Sequence, residues 1–172
     1  MKNITTTIEL SEAQKGFKKK MLSPFLFGTF LFTKLPLAFF ARMKMKSLSA
    51  ERCEVTLPYA WITTNPFRSI YFAAMNMAAE MSTGAITSMA IFGLNPSVSM
   101  LITGLESTFT KKASTKVTFT CEDGAKVFEA INECIATGEP RTVRMKSVGH
   151  LADGTEVAVF YFTWSLKQRS KK

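Results

Sequence analysis

Alternation of apolar and polar residues predicts six β-strands along the chain. Met43 and Met45 alternate with charged residues, and Cys53, Val55 and Leu57 alternate mostly with polar ones. This period of two is typical of an antiparallel sheet that buries one face. An Ala-Asp-Gly turn predicts a hairpin between the last two strands, and a turn at 111–114 is predicted to join the third strand to the fourth. The predicted strands are 42–46, 52–59, 99–109, 116–121, 141–151 and 155–166.

Helical patterns occupy the rest of the chain. The segment 64–84 is apolar on almost every side, and we predict a helix with Asn65 as its N-cap, Pro66 as its first residue and Gly84 as its end, so that Glu80 lies in its last turn. Ser11 is predicted to cap an earlier helix that Pro24 ends or redirects. The remaining helical segments are 25–41, either two short helices or one kinked helix, and 125–137, which Gly138 follows.

The order of these elements predicts an α+β fold. We expect a six-stranded antiparallel sheet wrapped around the central helix, because a helix that is apolar on most sides must be covered on most sides. At 172 residues the chain fits a single domain. We predict a flexible lead at 1–10, an N-terminal helical extension at 11–41, the main domain at 42–168 and a basic tail at 169–172.

The net charge of +9 is concentrated near the N-terminus, where residues 1–52 contain ten Lys or Arg and three Asp or Glu. Such a segment can attract nucleic acid, anionic lipid or polyphosphate, or it can simply be solvated. The motifs of nucleic-acid-binding modules are missing, so we expect no nucleic-acid partner. Lys34 and Pro36 interrupt the apolar segment 25–41, so we expect it to cover the domain, with peripheral membrane contact as the alternative.

The cysteine and histidine content argues against a metal site. Cys53, Cys121 and Cys134 are widely spaced, and the single histidine is His150. A structural zinc site needs four such ligands, usually in close pairs, so we expect no metal and no cofactor. Three free thiols in apolar patterns fit a reducing compartment, and we expect a cytoplasmic protein.

Glu80 is the residue of the central helix that most needs an explanation. It and Asn76 are spaced by four residues and lie on one helix face, which Thr83 and Thr87 can extend. The face is either a narrow polar stripe turned to solvent or a subunit, or a site in which burial raises the pKa of the carboxyl so that it can orient or deprotonate water. Asn65 is likewise either a plain N-cap or a substrate contact.

The segment TNPFRSIYFAAMNMAAEMSTG, with two strands before it and four after it, resembles the hotdog superfamily of acyl-CoA thioesterases. It is most similar to the PaaI-like members and to the branch called domain of unknown function 4442, over about residues 20–168. The resemblance implies a hotdog fold. In PaaI-like enzymes an asparagine precedes the helix, and an acidic residue fifteen positions later acts as general base or nucleophile; Asn65 and Glu80 occupy these positions.

The sequence departs from that family pattern at one element. PaaI-like enzymes have His-Gly-Gly six residues after the asparagine, where this chain has Tyr71, Phe72 and Ala73. The resemblance implies that a Phe72 backbone N–H still polarises a thioester carbonyl, with Tyr71 and Asn76 helping to position the substrate. The Phe72 side chain, however, occupies space that glycine leaves open.

The function implied by the resemblance is hydrolysis of an acyl-CoA or another acyl thioester. Glu80 would activate water or attack directly while Asn65 steadies the carbonyl, in a homodimer or a dimer of dimers whose sites combine groups from two subunits. The alternative is a non-catalytic hotdog module that binds acyl chains or acyl carriers, either in solution or at a membrane surface. Candidates for an acyl pocket are Met77, Met81 and Met100, which otherwise fill the core, and candidates for coenzyme A phosphates are Arg68, Lys111 and Lys112, which otherwise are solvated.

Overall fold

In the computed structural model, which describes residues 8–169, six strands form one sheet and a long helix packs on it. The predicted lead and basic tail fall largely on residues 1–7 and 170–172, outside the described residues. The helices are α1 Glu12–Leu22, α2 Pro24–Lys34, α3 Pro36–Phe40, α4 Phe72–Ile91 and α5 Gly124–Thr137, with a 3₁₀ turn at Trp61–Thr63. The strands are β1 Lys44–Leu48, β2 Cys53–Leu57, β3 Val98–Phe109, β4 Val117–Cys121, β5 Arg141–His150 and β6 Glu156–Gln168.

The sheet is antiparallel throughout, as predicted, and its strand order is β1-β2-β4-β5-β6-β3. The connection between β3 and β4 lies where it was predicted, but it is not a tight turn, because these strands are not neighbours in the sheet. β3 pairs with β6 along its whole length, and the following segment passes two strands, β6 and β5, to reach β4. Its course is fixed by backbone hydrogen bonds from Thr110 to Val157 (2.9 Å) and from Ile70 to Ala113 (2.8 Å).

Helix α4 is the core of the domain, and most of its residues are buried. The polar residues in its second half are paired inside that core. Ser82 shares a 2.8 Å hydrogen bond with Ser147 of β5, and Thr83 accepts one of 3.1 Å from the indole N–H of Trp164 in β6. These bonds remove most of the penalty for burying hydroxyl groups, and they fix the rotation of α4 relative to the sheet.

The predicted ends of the central helix are wrong on both sides. Its N-cap is Tyr71 rather than Asn65, and it continues beyond Gly84 to Ile91, so Glu80 lies in its middle. Residues 65–69 form a separate tight turn, in which Arg68 has a φ of +56° and Asn65 donates its backbone N–H to the Ser69 carbonyl at 2.9 Å. A left-handed residue cannot continue a helix, so α4 starts only after the turn.

The N-terminal segment forms three helices, and 25–41 takes the form of two short ones. Ser11 is the N-cap of α1 in a capping box with Gln14, as predicted. Ser23 ends α1 and caps α2, and Pro24 is the first residue of α2. The Gln14 amide also donates to the Ala90 carbonyl at 2.8 Å and so anchors α1 to the end of α4. Among residues 8–169, no helix is both long and apolar enough to cross a bilayer.

Candidate functional site

Glu80 occupies a gap that Gly84 and Trp164 create on the surface of α4. A Cβ atom added to Gly84 would lie 2.8 Å from Glu80 Oε1 and 3.3 Å from Trp164 Cζ2. The carboxylate therefore reaches one turn towards the C-terminal end of the helix and lies over Gly84, beside the indole. Trp164 pairs with Ile102 of β3, which places Glu80 beneath the β6–β3 side of the sheet. Sequence reasoning missed Gly84 and Trp164 as parts of the site, since only the fold brings them to Glu80.

The environment of Glu80 is apolar enough to change its protonation. Burial raises the pKa of its carboxyl to about 7. Within residues 8–169, no hydrogen bond or ion pair compensates for this burial. One turn earlier on the same face, the side-chain carbonyl oxygen of Asn76 is also buried and lacks a hydrogen-bond partner in the described region. Glu80 and Asn76 are thus two polar side chains on one helix face that lack a hydrogen-bond partner among the described residues.

Asn65 lies in a different environment, at the rim of a cavity of about 740 Å³. Its side-chain oxygen accepts hydrogen bonds from the Phe67 N–H (2.9 Å) and from the N–H and hydroxyl of Ser69 (3.3 and 3.2 Å). The amide –NH₂ of Asn65 has no partner among the described residues and remains an available donor. Asn65 is therefore the residue that shapes the turn before α4.

The same cavity brings together several of the predicted site residues. Tyr71 and Phe72, Lys111 and Lys112 all line it together with Asn65. The Tyr71 and Phe72 rings meet edge to face with centroids 4.9 Å apart. No side chain caps the first turn of α4, whose start lies in this lining, so its N–H groups retain hydrogen-bonding capacity towards a negatively polarised atom.

Other predicted site residues lie elsewhere. Glu80 is eight residues beyond the start of α4, roughly 12 Å along the helix axis, and it does not line the cavity. Arg68 is exposed on the turn and is outside the lining. The predicted acyl-pocket residues do not line the cavity either: Met81 is buried in the core, while Met77 and Met100 pack against it. Within one protomer, the predicted site is thus divided into a cavity group and a Glu80 group.

The strand order, the central helix and the acidic residue on it invite comparison with known proteins. Residues 25–166 match the family model described as Domain of unknown function (DUF4442). The chain belongs to this family. A comparison with curated proteins finds no match. Membership confirms the resemblance inferred from the sequence, over nearly the same residues.

Solved structures confirm the fold. PA5026 from Pseudomonas aeruginosa, a protein of unknown function called a probable thioesterase, has a TM-score of 0.72 at 15% identity over 87% of this chain and 99% of its own. A thioesterase family protein from Silicibacter pomeroyi has a TM-score of 0.60 at 13% identity, over 83% and 96%. Thioesterase HI1161 from Haemophilus influenzae has a TM-score of 0.59 at 12% identity, over 80% and 86%. This DUF4442 protein therefore has the hotdog fold of these thioesterases.

Proposed function

We propose that this DUF4442 protein is an acyl-thioester hydrolase that acts on acyl-CoA, with Glu80 as the general base. One observation carries the proposal: Glu80 is a largely buried, unpaired carboxyl on an apolar helix, and its pKa of about 7 suits proton transfer near neutral pH. The hotdog fold that the chain shares with thioesterases supports the same chemistry.

In the proposed reaction, ionised Glu80 removes a proton from a water molecule whose oxygen attacks the thioester carbonyl. The carbonyl π electrons move to oxygen, and the N–H groups at the start of α4, with the free amide of Asn65, stabilise the resulting oxyanion. Collapse of this intermediate breaks the carbon–sulfur bond. The thiolate leaves as coenzyme A and is protonated from Glu80 or from solvent, and the acyl group leaves as a carboxylic acid.

Glu80 does not line the cavity of its own protomer, so a reaction that uses both Glu80 and Asn65 needs a second protomer. We propose a homodimer, itself able to pair into a dimer of dimers, in which Asn65 of one protomer faces Glu80 of the partner subunit. Two observations support it. Strand β3 is a twelve-residue edge of the sheet, and its outer side chains Leu101 and Leu105 are exposed. Glu80 lies beneath that same side of the sheet, beside Trp164.

The residues that line the cavity of about 740 Å³ fit a substrate that has an apolar chain and a polyanionic carrier. The walls of this cavity include Phe72, Met75 and Phe109, while Lys111 and Lys112 are exposed at its edge. We propose that these two lysines, and Arg68 on the adjoining turn, bind the phosphates of coenzyme A.

Hydrolysis of an acyl-CoA panel, followed by release of free thiol, tests the reaction. We expect Glu80→Gln to lower kcat/KM by about 10²–10⁴-fold, since general-base catalysis contributes that much. Glu129→Gln is the matched control, because Glu129 is an exposed carboxylate on α5. Equal rates for Glu80→Gln and the parent protein would reject Glu80 as the base. A stable monomer in sedimentation would reject the shared site.

A second candidate function is acyl-CoA binding without hydrolysis. It is favoured by Phe72, whose side chain lines the cavity beside the helix start, where PaaI-like enzymes have glycine. In this case no acyl-CoA is hydrolysed, and a long-chain acyl-CoA at about 100 times its Kd stabilises the protein by about 2.7 kcal/mol. Phe72→Gly in the same assays separates the two functions, because it should enable or accelerate hydrolysis only if the catalytic groups are in place.

A further inference from the structure

The N-terminal helices expose an apolar surface that the proposed reaction does not use. In α2 only Phe27 and Leu31 are buried, whereas Phe25 is 80% exposed. Phe25 and Phe32 are seven residues apart and share a side of the helix. The residues that form this surface, called the aromatic face below, are Phe25, Phe32, Leu37, Phe39, Phe40 and Trp61.

Contacts connect four residues of the aromatic face into one patch. The Phe32 and Phe39 rings meet with centroids 5.2 Å apart, and Phe39 meets Phe40 at 5.6 Å. Trp61, 90% exposed, lines one cavity of about 790 Å³ together with Phe39 and Phe40. Large exposed apolar patches on a domain usually mark an interaction site, so we expect the aromatic face to bind a partner.

The threonine hydroxyls of α2 donate hydrogen bonds within the helix. From residue 21 to 33 the chain has no charged side chain. On α2, the Thr29 hydroxyl donates to the Phe25 carbonyl at 3.0 Å, and the Thr33 hydroxyl donates to the Thr29 carbonyl at 2.8 Å. These bonds persist when water is removed, so placing this side of α2 in an apolar medium leaves few hydrogen-bonding groups without partners.

The charged residues of segment 13–50, which holds every residue of the aromatic face except Trp61, all have one sign. Residues 13–50 contain no Asp or Glu. Within the described part of the chain, two of their basic side chains have ion-pair partners, Lys15 with Glu12 at 2.7 Å and Lys46 with Glu54 at 3.3 Å. The basic side chains of 13–50 are Lys15, Lys18, Lys19, Lys20, Lys34, Arg42, Lys44 and Lys46.

We propose that the aromatic face docks this protein on a membrane surface rich in anionic lipid headgroups. An apolar helix bordered by basic side chains matches a bilayer interface, where rings enter the acyl boundary and cations meet the headgroups. At 11 residues, α2 is roughly 16 Å long and cannot cross a hydrocarbon core of about 30 Å, so it lies in the plane of the surface. A second copy of the chain fits less well, because a two-fold contact would bring the same cations together.

Vesicle flotation with the full chain tests the proposal. We expect binding to phosphatidylcholine vesicles that contain phosphatidylserine, much weaker binding to phosphatidylcholine alone, and loss of binding at high salt. Leu37→Ser should weaken binding by about tenfold, as expected for an apolar side chain removed from the bilayer. The comparison variant is Leu101→Ser, because Leu101 is similarly exposed (67% against 71%) but lies on β3, at the opposite edge of the sheet from β1. Since β3 is also the proposed dimer edge, sedimentation of both variants separates loss of the dimer from loss of docking.

Trp61 supplies an internal probe of the same event. Its emission should shift to the blue on anionic vesicles, and Trp61→Phe should remove that shift while buried Trp164 still emits. Replacing Lys19, Lys20 and Lys34 by glutamine should weaken binding on the order of a hundredfold. Glu80→Gln should float like the parent protein, so failure of the proposed hydrolysis and failure of docking are separate results.

Three results would overturn docking on anionic lipid. One is the absence of flotation with any vesicle, and another is equal binding by the parent protein and Leu37→Ser. The third is a lipid-free oligomer that Leu37→Ser dissociates and Leu101→Ser does not, because the aromatic face would then be an interface between copies. Equal affinity for neutral and anionic vesicles would reject the role of the basic side chains.

Discussion

Replacing Glu80 by glutamine should stabilise the protein at alkaline pH and leave its stability nearly unchanged in acid. Burial raises the pKa of Glu80 from the usual 4.5 to about 7 in the folded protein. The folded state therefore holds the proton more tightly than the unfolded state does. The free energy of unfolding accordingly falls as pH rises from 4.5 to 7, and the loss is complete above pH 7.

The size of the effect follows from the same values. Each pH unit over which only the folded state holds the proton changes the free energy of unfolding by 1.36 kcal/mol, so ionised Glu80 costs about 3 kcal/mol. Glutamine keeps the shape and has no charge to bury. For a chain of this size the advantage of Glu80→Gln in Tm should grow by about 6–12 °C between pH 4.5 and pH 8.5.

Thermal unfolding of both proteins across this pH range, at one protein concentration, measures the effect. Urea unfolding at pH 4.5 and 8.5 gives the free energies directly. Glu129→Gln is the control, since an exposed carboxylate without an ion pair in the described region should change stability by less than about 0.5 kcal/mol at either pH. A Tm difference between Glu80→Gln and the parent that stays constant with pH would refute a buried, unpaired Glu80.

Three further results are expected. Gly84→Ala should displace the Glu80 carboxylate and so reduce acyl-CoA hydrolysis by about tenfold or more. Its control is Gly16→Ala, because a Cβ atom at Gly16 on α1 would meet open space. The control should leave the rate unchanged and raise the free energy of unfolding by about 0.5–1 kcal/mol. Gly124→Ala should lower the free energy of unfolding in urea by about 2 kcal/mol or more, because its Cβ would overlap backbone atoms of the β1–β2 turn. Cys121 is buried, and burial raises the pKa of its thiol to about 12, so an Ellman reagent at pH 8 should label it at least about tenfold more slowly in the native protein than in urea. Equally fast native labelling would contradict this burial.

The strands and the fold class could be predicted from the sequence because their signals are local. Val117, Phe119 and Cys121 alternate with polar residues and are all buried in β4. The amphipathic pattern of α5 and Gly138 after it likewise predicted a helix that ends where the chain turns left-handed, at a φ of +75°. Such patterns depend only on which face of a helix or strand is buried, so they do not depend on how the elements are arranged in the fold.

The start of the central helix was not predictable in the same way. Asn65 and Pro66 have the local preferences of an N-cap and a first helical residue. Two hydrogen bonds to distant or non-helical backbone, Ile70 N–H to Ala113 (2.8 Å) and Tyr71 N–H to Thr63 (2.7 Å), hold the chain extended for several residues more. Local preferences of about 1 kcal/mol are easily outweighed by such contacts together with the burial of Ile70.

The sequence by itself determined that this protein has six antiparallel strands, a buried helix and an acid on it, since periodicity and composition need no partner. Only the tertiary structure decided what surrounds that acid. It packed Trp164 beside Gly84, left Glu80 without an ion pair among the described residues, and placed Glu80 roughly 12 Å along the helix axis from the start of α4, outside the cavity that Asn65 lines. The physical reason is that a pKa depends on desolvation and on neighbouring charges, and both are properties of atoms brought together from distant parts of the chain.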